Sequence, residues 1–148
     1  MTLDLATVQA MMEGGLPYVK KLGVKLEDGG ANRAVLRLPW DPTNANHVGS
    51  LHAWALFTFA ETAGGAGILF SFDLGKVRLL AKQATIEYKR LVTGDVTTEV
   101  VVPSADVDRV MADVDANGRA TYDLRVTLKD DSGEAAAFVS ITYHFKKL

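Results

Sequence analysis

The sequence predicts an α+β fold in which six mostly antiparallel strands form a sheet that wraps around one long apolar helix. Three observations support this prediction. Apolar and polar residues alternate in several segments of strand length, an apolar run covers residues 50–70, and 148 residues suit one domain, 1–148, with a sizeable core. Because one sheet covers only one side of such a helix, we expect a second copy of the chain to cover the other side.

The segment before the apolar run is predicted to contain one short helix and two strands. Apolar residues at helical spacing predict an amphipathic helix over about residues 3–13, closed by Gly14-Gly15. Alternation predicts strands over residues 22–27 and 32–38, joined by a turn at the sequence EDGGAN. The sequence PWDPTNAN then predicts a loop, because two prolines in close succession do not fit a central strand.

The apolar run itself predicts a helix over residues 50–70 that is buried on every side, since apolar residues occupy all of its faces. Ser50 is the predicted N-cap, and the run is too long for a single buried strand. The rest of the chain returns to alternation, with one helical connector over residues 104–116 that ends near Asn117-Gly118. The predicted strands of this part cover residues 85–89, 96–102, 120–128 and 137–145.

Composition excludes several classes of function. The chain has no cysteine, so disulfides and thiolate zinc sites are excluded. His47 and His52 lack a well-spaced third ligand, so no metal site is predicted. A net charge of −2, with both signs dispersed, gives no electrostatic reason to bind nucleic acid. Glu61 interrupts the apolar run and the N-terminus lacks a signal-peptide pattern, so we expect a cytoplasmic protein with no membrane partner.

Glu61 is the one acid within the apolar run. Thr58, Gly64 and Gly65 share its helix face by spacing. Each glycine costs about 1 kcal/mol relative to alanine in a helix, so open space for a ligand or a close backbone approach would explain their presence. Two interpretations remain open: Glu61 pairs with a basic side chain at an interface, or it is a desolvated base or a carboxylate that positions water.

The start of the same helix offers a different group. Free N–H groups around residues 51–54, together with the positive end of the helix dipole, could polarise a carbonyl oxygen. Ala53 and Glu61 are separated by about 12 Å along the helix axis, at roughly 1.5 Å per residue, so one helix cannot bring both to the same carbonyl. Two chains related by a two-fold axis can do so, with the helix start of one chain meeting Glu61 of the other.

The segment NHVGSLHAWALFTFAE resembles a motif of the PaaI/Them2-like acyl-CoA thioesterases of the hotdog fold. That motif is Asn-x-x-Gly-x-x-His-Gly-Gly, with an Asp or Glu fifteen residues after the Asn. The segment is more similar still to the DUF4442/YiiD C-terminal-domain branch of these proteins, and the sequence IEYKRLVTGD resembles their third strand and the turn that follows it. The positions that match the motif are Asn46, Gly49, His52 and Glu61.

The resemblance implies a hotdog fold, a homodimer or dimer of dimers, and an acyl-CoA-type small molecule as substrate. It implies that Asn46 helps to hold the thioester or the water, that the Ala53 amide polarises the carbonyl, and that Glu61 of the partner chain is the general base or nucleophile. Gly49 and His52 would belong to the substrate-binding segment, as would Thr58 and Gly65 on the Glu61 face. No cofactor is implied, because coenzyme A is part of the substrate.

Other residues leave alternatives open. Ala53-Trp54 replaces the Gly-Gly of the motif; Ala53 keeps its N–H donor, whereas the Trp54 ring could narrow or close the acyl pocket. Lys89 and Arg90 are either a solvated strand end or a contact for the phosphates of coenzyme A. The alternatives to a thioesterase are a hydratase or dehydratase on the same fold, and a non-catalytic acyl-ligand-binding or structural homodimer. His52 argues against the hydratase, because it cannot form a dyad with Glu61 within one chain.

Overall fold

The computed structural model describes residues 3–148 and contains one six-stranded sheet in which all neighbouring strands are antiparallel. This confirms the predicted α+β fold and the number of strands. The strands are β1 (Lys25–Gly30), β2 (Arg33–Leu38), β3 (Val77–Tyr88), β4 (Val96–Val101), β5 (Arg119–Lys129) and β6 (Ala135–Lys147). Their order across the sheet is β1-β2-β4-β5-β6-β3, so that β1 and β3 form its two edges.

The long helix predicted from the apolar run is α3 (Ala53–Leu69), which packs against β2, β4, β5 and β6. Small residues such as Ala60 and Ala63 are fully buried along it, together with the large Phe59 ring. Their small size lets the helix lie close to the sheet, where the apolar area removed from water stabilises the core. No helix within residues 3–148 is long and apolar enough to span a membrane.

The predicted N-cap of this helix was wrong, because His52 and not Ser50 is the cap. The His52 Nδ1 accepts a hydrogen bond from the Trp54 N–H at 3.1 Å. Ser50 is buried two residues earlier, where its Oγ accepts from the Val92 N–H at 2.9 Å and so ties the loop before α3 to the segment after β3. The Leu51 amide donates to the Val92 carbonyl in the same way, so the chain is still extended at residues where we predicted the helix.

The N-terminal region contains more helix than predicted. The predicted helix over 3–13 is present as α1 (Leu5–Ala10), followed by a π-helical segment (Met11–Gly15). A second helix, α2 (Pro17–Leu22), was not predicted, and it makes the expected strand start at residue 22 wrong, since β1 begins at Lys25. Proline in the first helical turn and Gly23 at the C-cap, with a φ of +87°, are the local signals for this helix.

The hairpin between β1 and β2 turns later than predicted. Ala31 and Asn32 have φ values of +49° and +67°, which form the tight two-residue connection, while Gly29 and Gly30 belong to β1. Gly29 is required for packing, because a Cβ at this position would overlap with the Phe70 ring that follows α3.

The remaining elements differ from the prediction mainly in β3. This strand begins at Val77, eight residues before the predicted start, and a register shift between Ala81 and Gln83 breaks its alternation. The connector α4 (Ser104–Asn117) is confirmed and ends at Gly118, whose φ is +72°. Since β3 is an edge strand with β6 on one side, its other edge has no strand partner among residues 3–148.

Candidate functional site

A cavity of about 290 Å³ opens beside Glu61 and is referred to below as the Glu61 cavity. Three separate parts of the chain form it: the middle of α3, the π-helical segment with the residue after it, and β3. Glu61 and Thr62 supply its polar side chains, and every other lining residue is apolar or glycine. The lining residues are Glu61, Thr62, Gly65, Leu69, Met11, Met12, Gly15, Leu16 and Leu79.

The Glu61 carboxylate is half-buried and has no hydrogen bond or ion pair to any other residue of the described chain. Burial raises its pKa above the ordinary value for a glutamate, because removal from water disfavours the charged form. Within the described chain no basic side chain pairs with Glu61, and the interpretation that it pairs with one at an interface between copies stays a prediction. An acid in this environment can accept a proton from water more readily than an exposed carboxylate.

Two buried hydroxyl groups near Glu61 also lack hydrogen-bond partners within residues 3–148. They are Thr62 Oγ1, which belongs to a lining residue of the cavity, and Tyr143 Oη, which lies against α3 at Gly64. Burial raises the pKa of Tyr143, and the neighbouring Glu61 charge raises it further by a smaller amount. The Tyr143 hydroxyl therefore stays protonated. Most buried polar groups in folded proteins are hydrogen-bonded, so this exception marks a place where water or a ligand is expected.

The two glycines that follow Glu61 have different surroundings. A Cβ on Gly64 would lie 2.6 Å from Tyr143 Oη and 2.9 Å from Ile141 Cδ1, so Gly64 permits the close contact between α3 and β6. A Cβ on Gly65 would meet no atom within 4 Å, since this residue faces the Glu61 cavity. The close backbone approach and the open space that the sequence suggested are thus both present, at adjacent residues.

The start of α3 presents one backbone donor without a partner. The amides of His52, Trp54 and Ala55 all donate hydrogen bonds within the chain, whereas that of Ala53 has no acceptor among the described residues. Tyr88 Oη, at the end of β3, donates to the Ala53 carbonyl at 3.0 Å and fixes the end of the strand to the helix start. Since Ala53 is exposed, its free N–H is available to an oxygen from outside the chain.

The loop before α3 is closed by Asn46. Its Oδ1 accepts hydrogen bonds from the Val48 and Ser50 amides at 3.0 and 3.1 Å, and its backbone N–H donates to the Ser50 carbonyl at 2.7 Å. Gly49 permits this tight loop through a φ of +75°. The Nδ2 donors of Asn46 have no partner in the described chain, so Asn46 combines a structural acceptor with a free donor near the helix start.

The other residues singled out from the sequence lie outside the Glu61 cavity. The Trp54 ring is 65% exposed and packs edge-to-face on Phe57, and neither it nor Thr58 lines the cavity of the single chain. Lys89 Nζ pairs with Glu87 at 2.7 Å and Arg90 with Asp130 at 2.9 Å. Hydrogen bonds from Ser132, together with the Arg90 pair, lower the pKa of Asp130 to about 2.

The predicted site residues therefore form two separate groups within one chain. Glu61 and Gly65 lie at the cavity, while Asn46, Gly49, His52 and Ala53 lie at the helix start. The functional residues that were not predicted are Thr62 and Leu69 on α3, the lining residues outside α3, Tyr143 and Tyr88. The Met11-Met12 pair was the available signal for the cavity wall, since adjacent flexible apolar residues at a helix end often line binding surfaces. No local signal links Tyr88 to Ala53, which lies 35 residues earlier.

Comparisons with known proteins extend over nearly the whole chain. The model of the family described as a domain of unknown function, DUF4442, matches residues 5–145. A crystal structure of a Pseudomonas aeruginosa protein of unknown function, described as a probable thioesterase, is 30% identical, with a TM-score of 0.94 over 100% of this chain and 99% of that chain. No curated protein matches the chain by sequence.

Two more distant structures are similar in fold. A thioesterase from Haemophilus influenzae is 16% identical, with a TM-score of 0.79 over 100% of this chain and 94% of that chain. A mutant thioesterase from Pseudomonas aeruginosa is 19% identical, also with a TM-score of 0.79, over 100% of this chain and 97% of that chain. At these identities the similarity concerns the arrangement of strands and helices.

Proposed function

The chain belongs to the DUF4442 family and has the hotdog fold, and from this premise we propose that it hydrolyses an acyl thioester of the acyl-CoA class. The observation that carries the proposal is Glu61, a half-buried carboxylate that lines an apolar cavity and has no partner in the described chain. An unpaired acid in such a position lowers stability, so a catalytic role explains it better than a structural one. The similar Pseudomonas aeruginosa protein, described as a probable thioesterase, supports this function.

A homodimer is the second part of the proposal, and its interface is the free edge of β3. This strand has 12 residues and exposes Leu80 by 67% and Tyr88 by 45%. A long edge strand with exposed apolar side chains readily pairs with another strand. Two copies of β3 related by a two-fold axis would pair in antiparallel orientation and cover both edges at once.

The same pairing would complete the site. Leu79, near the beginning of β3, lines the cavity beside Glu61. Tyr88, at the end of the same strand, is hydrogen-bonded to the Ala53 carbonyl. In an antiparallel pair centred on the middle of the strand, the end of one β3 lies beside the beginning of the other. The free Ala53 N–H of one protomer would therefore approach Glu61 of its partner, which one helix alone cannot achieve.

The chemistry follows from these two groups. Glu61 accepts a proton from water, and the water oxygen bonds to the thioester carbonyl carbon as the carbonyl electrons move to oxygen. The Ala53 N–H of the other protomer donates to this oxyanion. When the tetrahedral intermediate collapses, the carbon–sulfur bond breaks, the thiolate of coenzyme A leaves, and the Glu61 proton returns to it. The alternative first step is direct attack by the Glu61 carboxylate on the carbonyl carbon, which breaks the carbon–sulfur bond, releases the thiolate of coenzyme A and forms a mixed anhydride. Water then cleaves this anhydride to the free acid and regenerates Glu61.

Residues around the helix start would hold the rest of the substrate. The free Nδ2 donors of Asn46 suit the thioester oxygen or the attacking water, while the Asn46 Oδ1 keeps the loop in shape. Lys89 and Arg90 would bind phosphates of coenzyme A. The exposed pair of Lys89 with Glu87 contributes about 0–1 kcal/mol, so a phosphate can replace the carboxylate at little cost.

The first experiment measures hydrolysis of a panel of acyl-CoA thioesters by the wild type and by Glu61→Gln. We expect kcat to fall by about 10²–10⁴-fold, the usual contribution of a general base. The matched control is Glu134→Gln, an exposed glutamate in the turn before β6, which should leave kcat unchanged. Hydrolysis that survives Glu61→Gln would refute the role of this residue, and thermal stabilisation by acyl-CoA without turnover would identify a binding protein instead.

The second experiment tests the shared site. Ala53→Pro removes the N–H donor but suits the first helical position, and the extended His52 backbone before it, with φ of −63° and ψ of 143°, tolerates a following proline. Each of Ala53→Pro and Glu61→Gln should be inactive alone. An equal mixture of exchanged subunits should recover about a quarter of wild-type activity, because half of the dimers are mixed and each has one intact site.

Two results of the subunit-mixing experiment would contradict the proposal. A mixture that stays inactive after verified subunit exchange, or a protein that is monomeric by light scattering, would refute the shared site. The same light-scattering measurement separates a dimer from a dimer of dimers.

A further inference from the structure

We propose that the Glu61 cavity holds the acyl group of the substrate, and that this group is a linear aliphatic chain of medium length. The inference rests on the proposed thioesterase function and names its substrate class. It excludes short polar acyl groups, which would leave most of the apolar wall exposed to water, and it sets an upper limit to the chain that fits.

The chemistry of the walls supports an aliphatic occupant. Beyond Glu61 and Thr62 the cavity has only apolar side chains and glycine. Met12 is buried, while Met11 and Leu16 are 42% and 48% exposed, so the space runs from an open apolar edge to a closed interior. Methionine and leucine side chains adapt to a flexible hydrocarbon chain, and Glu61 and Thr62 are the lining residues whose side chains can hydrogen-bond a polar group.

The dimensions of the cavity set the length. Its α3 wall extends from Glu61 to Leu69, which is about 12 Å along a helix at roughly 1.5 Å per residue. The volume of about 290 Å³ would hold about ten methylene groups, if each is given the roughly 30 Å³ that a water molecule occupies in the liquid. We therefore expect the best-fitting chain to be close to decanoyl, with its thioester carbon at Glu61.

The N-terminal wall is anchored to the sheet. Met11, Met12 and Gly15 belong to the π-helical segment, a rare conformation that is frequent at functional sites. Glu13 in the same segment accepts a hydrogen bond from the Leu26 amide of β1 at 3.1 Å. This bond anchors the segment to β1 at the sheet edge.

Gly65 is the residue that sets the usable length. It lies one helical turn beyond Glu61, and a Cβ there would meet no atom within 4 Å. A Cβ at this position would therefore displace no neighbour, and a larger side chain would extend into the cavity and shorten the space available to the acyl group. Leu69, one further turn along, lines the cavity at the far end of its α3 wall, so its truncation should lengthen that space.

The experiment measures binding separately from hydrolysis. Saturated CoA thioesters from butanoyl-CoA to hexadecanoyl-CoA are titrated calorimetrically into the Glu61→Gln protein. Affinity should rise by about tenfold for every two methylene groups that enter the cavity, up to about decanoyl, and then level off. Adding Gly65→Leu should lower decanoyl-CoA affinity about 100-fold, move the plateau to about hexanoyl-CoA and leave butanoyl-CoA affinity unchanged.

Leu69→Ala is the opposing variant, since it should move the plateau to longer chains. It provides a readout that is independent of whether Gly65→Leu folds. The matched control is Leu148→Ala, which truncates a C-terminal leucine that is 65% exposed and outside the cavity, and which should not change the length profile.

Three outcomes decide between the two proposals. Affinity that does not depend on chain length, or a Gly65→Leu effect that is equal for butanoyl-CoA and decanoyl-CoA, would overturn the cavity assignment even if the wild type hydrolyses thioesters. Length-dependent binding that shifts in both variants would support the assignment. If the wild type then shows no turnover of any thioester, the hydrolase proposal fails while the acyl cavity stands.

Discussion

The two faces of α3 show how one helix can serve the core and a site at once. On the sheet face, Gly64 and Gly67 lie so close to β4 and β6 that a Cβ on either would come within 2.6 Å of a side chain. On the other face, Gly65 has open space, and Glu61 has neither ion pair nor hydrogen bond in the described chain. Glycine therefore permits close packing at Gly64 and leaves open space at the adjacent Gly65.

The sheet face of α3 contributes to the stability of the core, whereas the cavity face carries the candidate site. The sheet face is filled by fixed side chains of the core, where changes in volume are costly. The cavity face leaves a carboxylate partly desolvated without compensation, which lowers the stability of the chain. The role of a glycine or a polar residue in this helix can therefore be assigned only when the face on which it lies is known.

The largest effect on stability is expected from substitution of the sheet-face glycines. Gly64→Ala and Gly67→Ala should each lower the free energy of unfolding by about 1–3 kcal/mol, because the added methyl group overlaps with Tyr143 or with Val100. Urea denaturation measures this change. Gly65→Ala is the matched control, expected to be neutral or to stabilise by up to about 1 kcal/mol through helix propensity. Equal losses at all three positions would contradict the distinction between the faces.

A smaller effect, which depends on pH, is expected from Glu61→Gln. Burial raises the pKa of Glu61 in the folded state, so the unfolded chain loses this proton first as the pH rises. The ionised carboxylate therefore destabilises the fold above its folded-state pKa and contributes nothing below the ordinary glutamate pKa. Glu61→Gln should raise the free energy of unfolding at pH 7, and the gain should disappear in acid.

The control for this measurement is again Glu134→Gln, for which we expect only a small difference that is similar at both pH values. A wild type that is more stable than Glu61→Gln at pH 7 would show that the carboxylate has a stabilising partner in solution.

Loss of the hydroxyl group from two tyrosines on the sheet should change the free energy of unfolding in opposite directions. Tyr143→Phe removes an unpartnered buried hydroxyl and should raise the free energy of unfolding by about 1 kcal/mol. Tyr122→Phe removes a hydrogen bond to Asp106, 3.3 Å in length, and should lower it by a similar amount. Parallel urea denaturation of both variants tests this. A loss of stability in Tyr143→Phe would indicate that a water molecule satisfies this hydroxyl beside the cavity.

The smallest effect is expected at the helix start. Tyr88→Phe removes the partly exposed hydrogen bond to the Ala53 carbonyl and should lower the free energy of unfolding by about 0.5 kcal/mol. If the bond also positions the Ala53 amide for catalysis, kcat should fall while KM for acyl-CoA stays the same. A change in KM alone would assign Tyr88 to substrate binding.

Much of the fold could be predicted because its signals are local. The apolar run gave α3, and strict alternation gave β5, which is buried at every second residue from Ala120 to Leu128. The errors have one local cause and one that lies far along the chain. The register shift in β3 interrupts the alternation from which strands are recognised, and the hydrogen bonds of Ser50 and Leu51 to Val92 hold the chain extended where the apolar pattern indicated a helix.

The site was only partly predictable. Glu61 stood out as an isolated acid, and the expectation of two copies followed from the one-sided sheet and from the distance between Ala53 and Glu61 along one helix. The wall at Met11 and Met12 lies 50 residues before Glu61, and Tyr143 about 80 residues after it, so their contribution depends on tertiary packing that no sequence period records. Whether a given glycine makes room for a neighbour or for a ligand depends on the same packing.

The placement of Gly65 has a consequence for how such proteins diverge. A single codon change at this position alters the depth of the cavity but disturbs none of the contacts that hold the helix to the sheet. If the cavity holds the acyl group as proposed, descendants of one ancestral gene could exchange one preferred acyl chain for another through changes at this position. At Gly64, one residue earlier, the same codon changes would be eliminated by selection for folding.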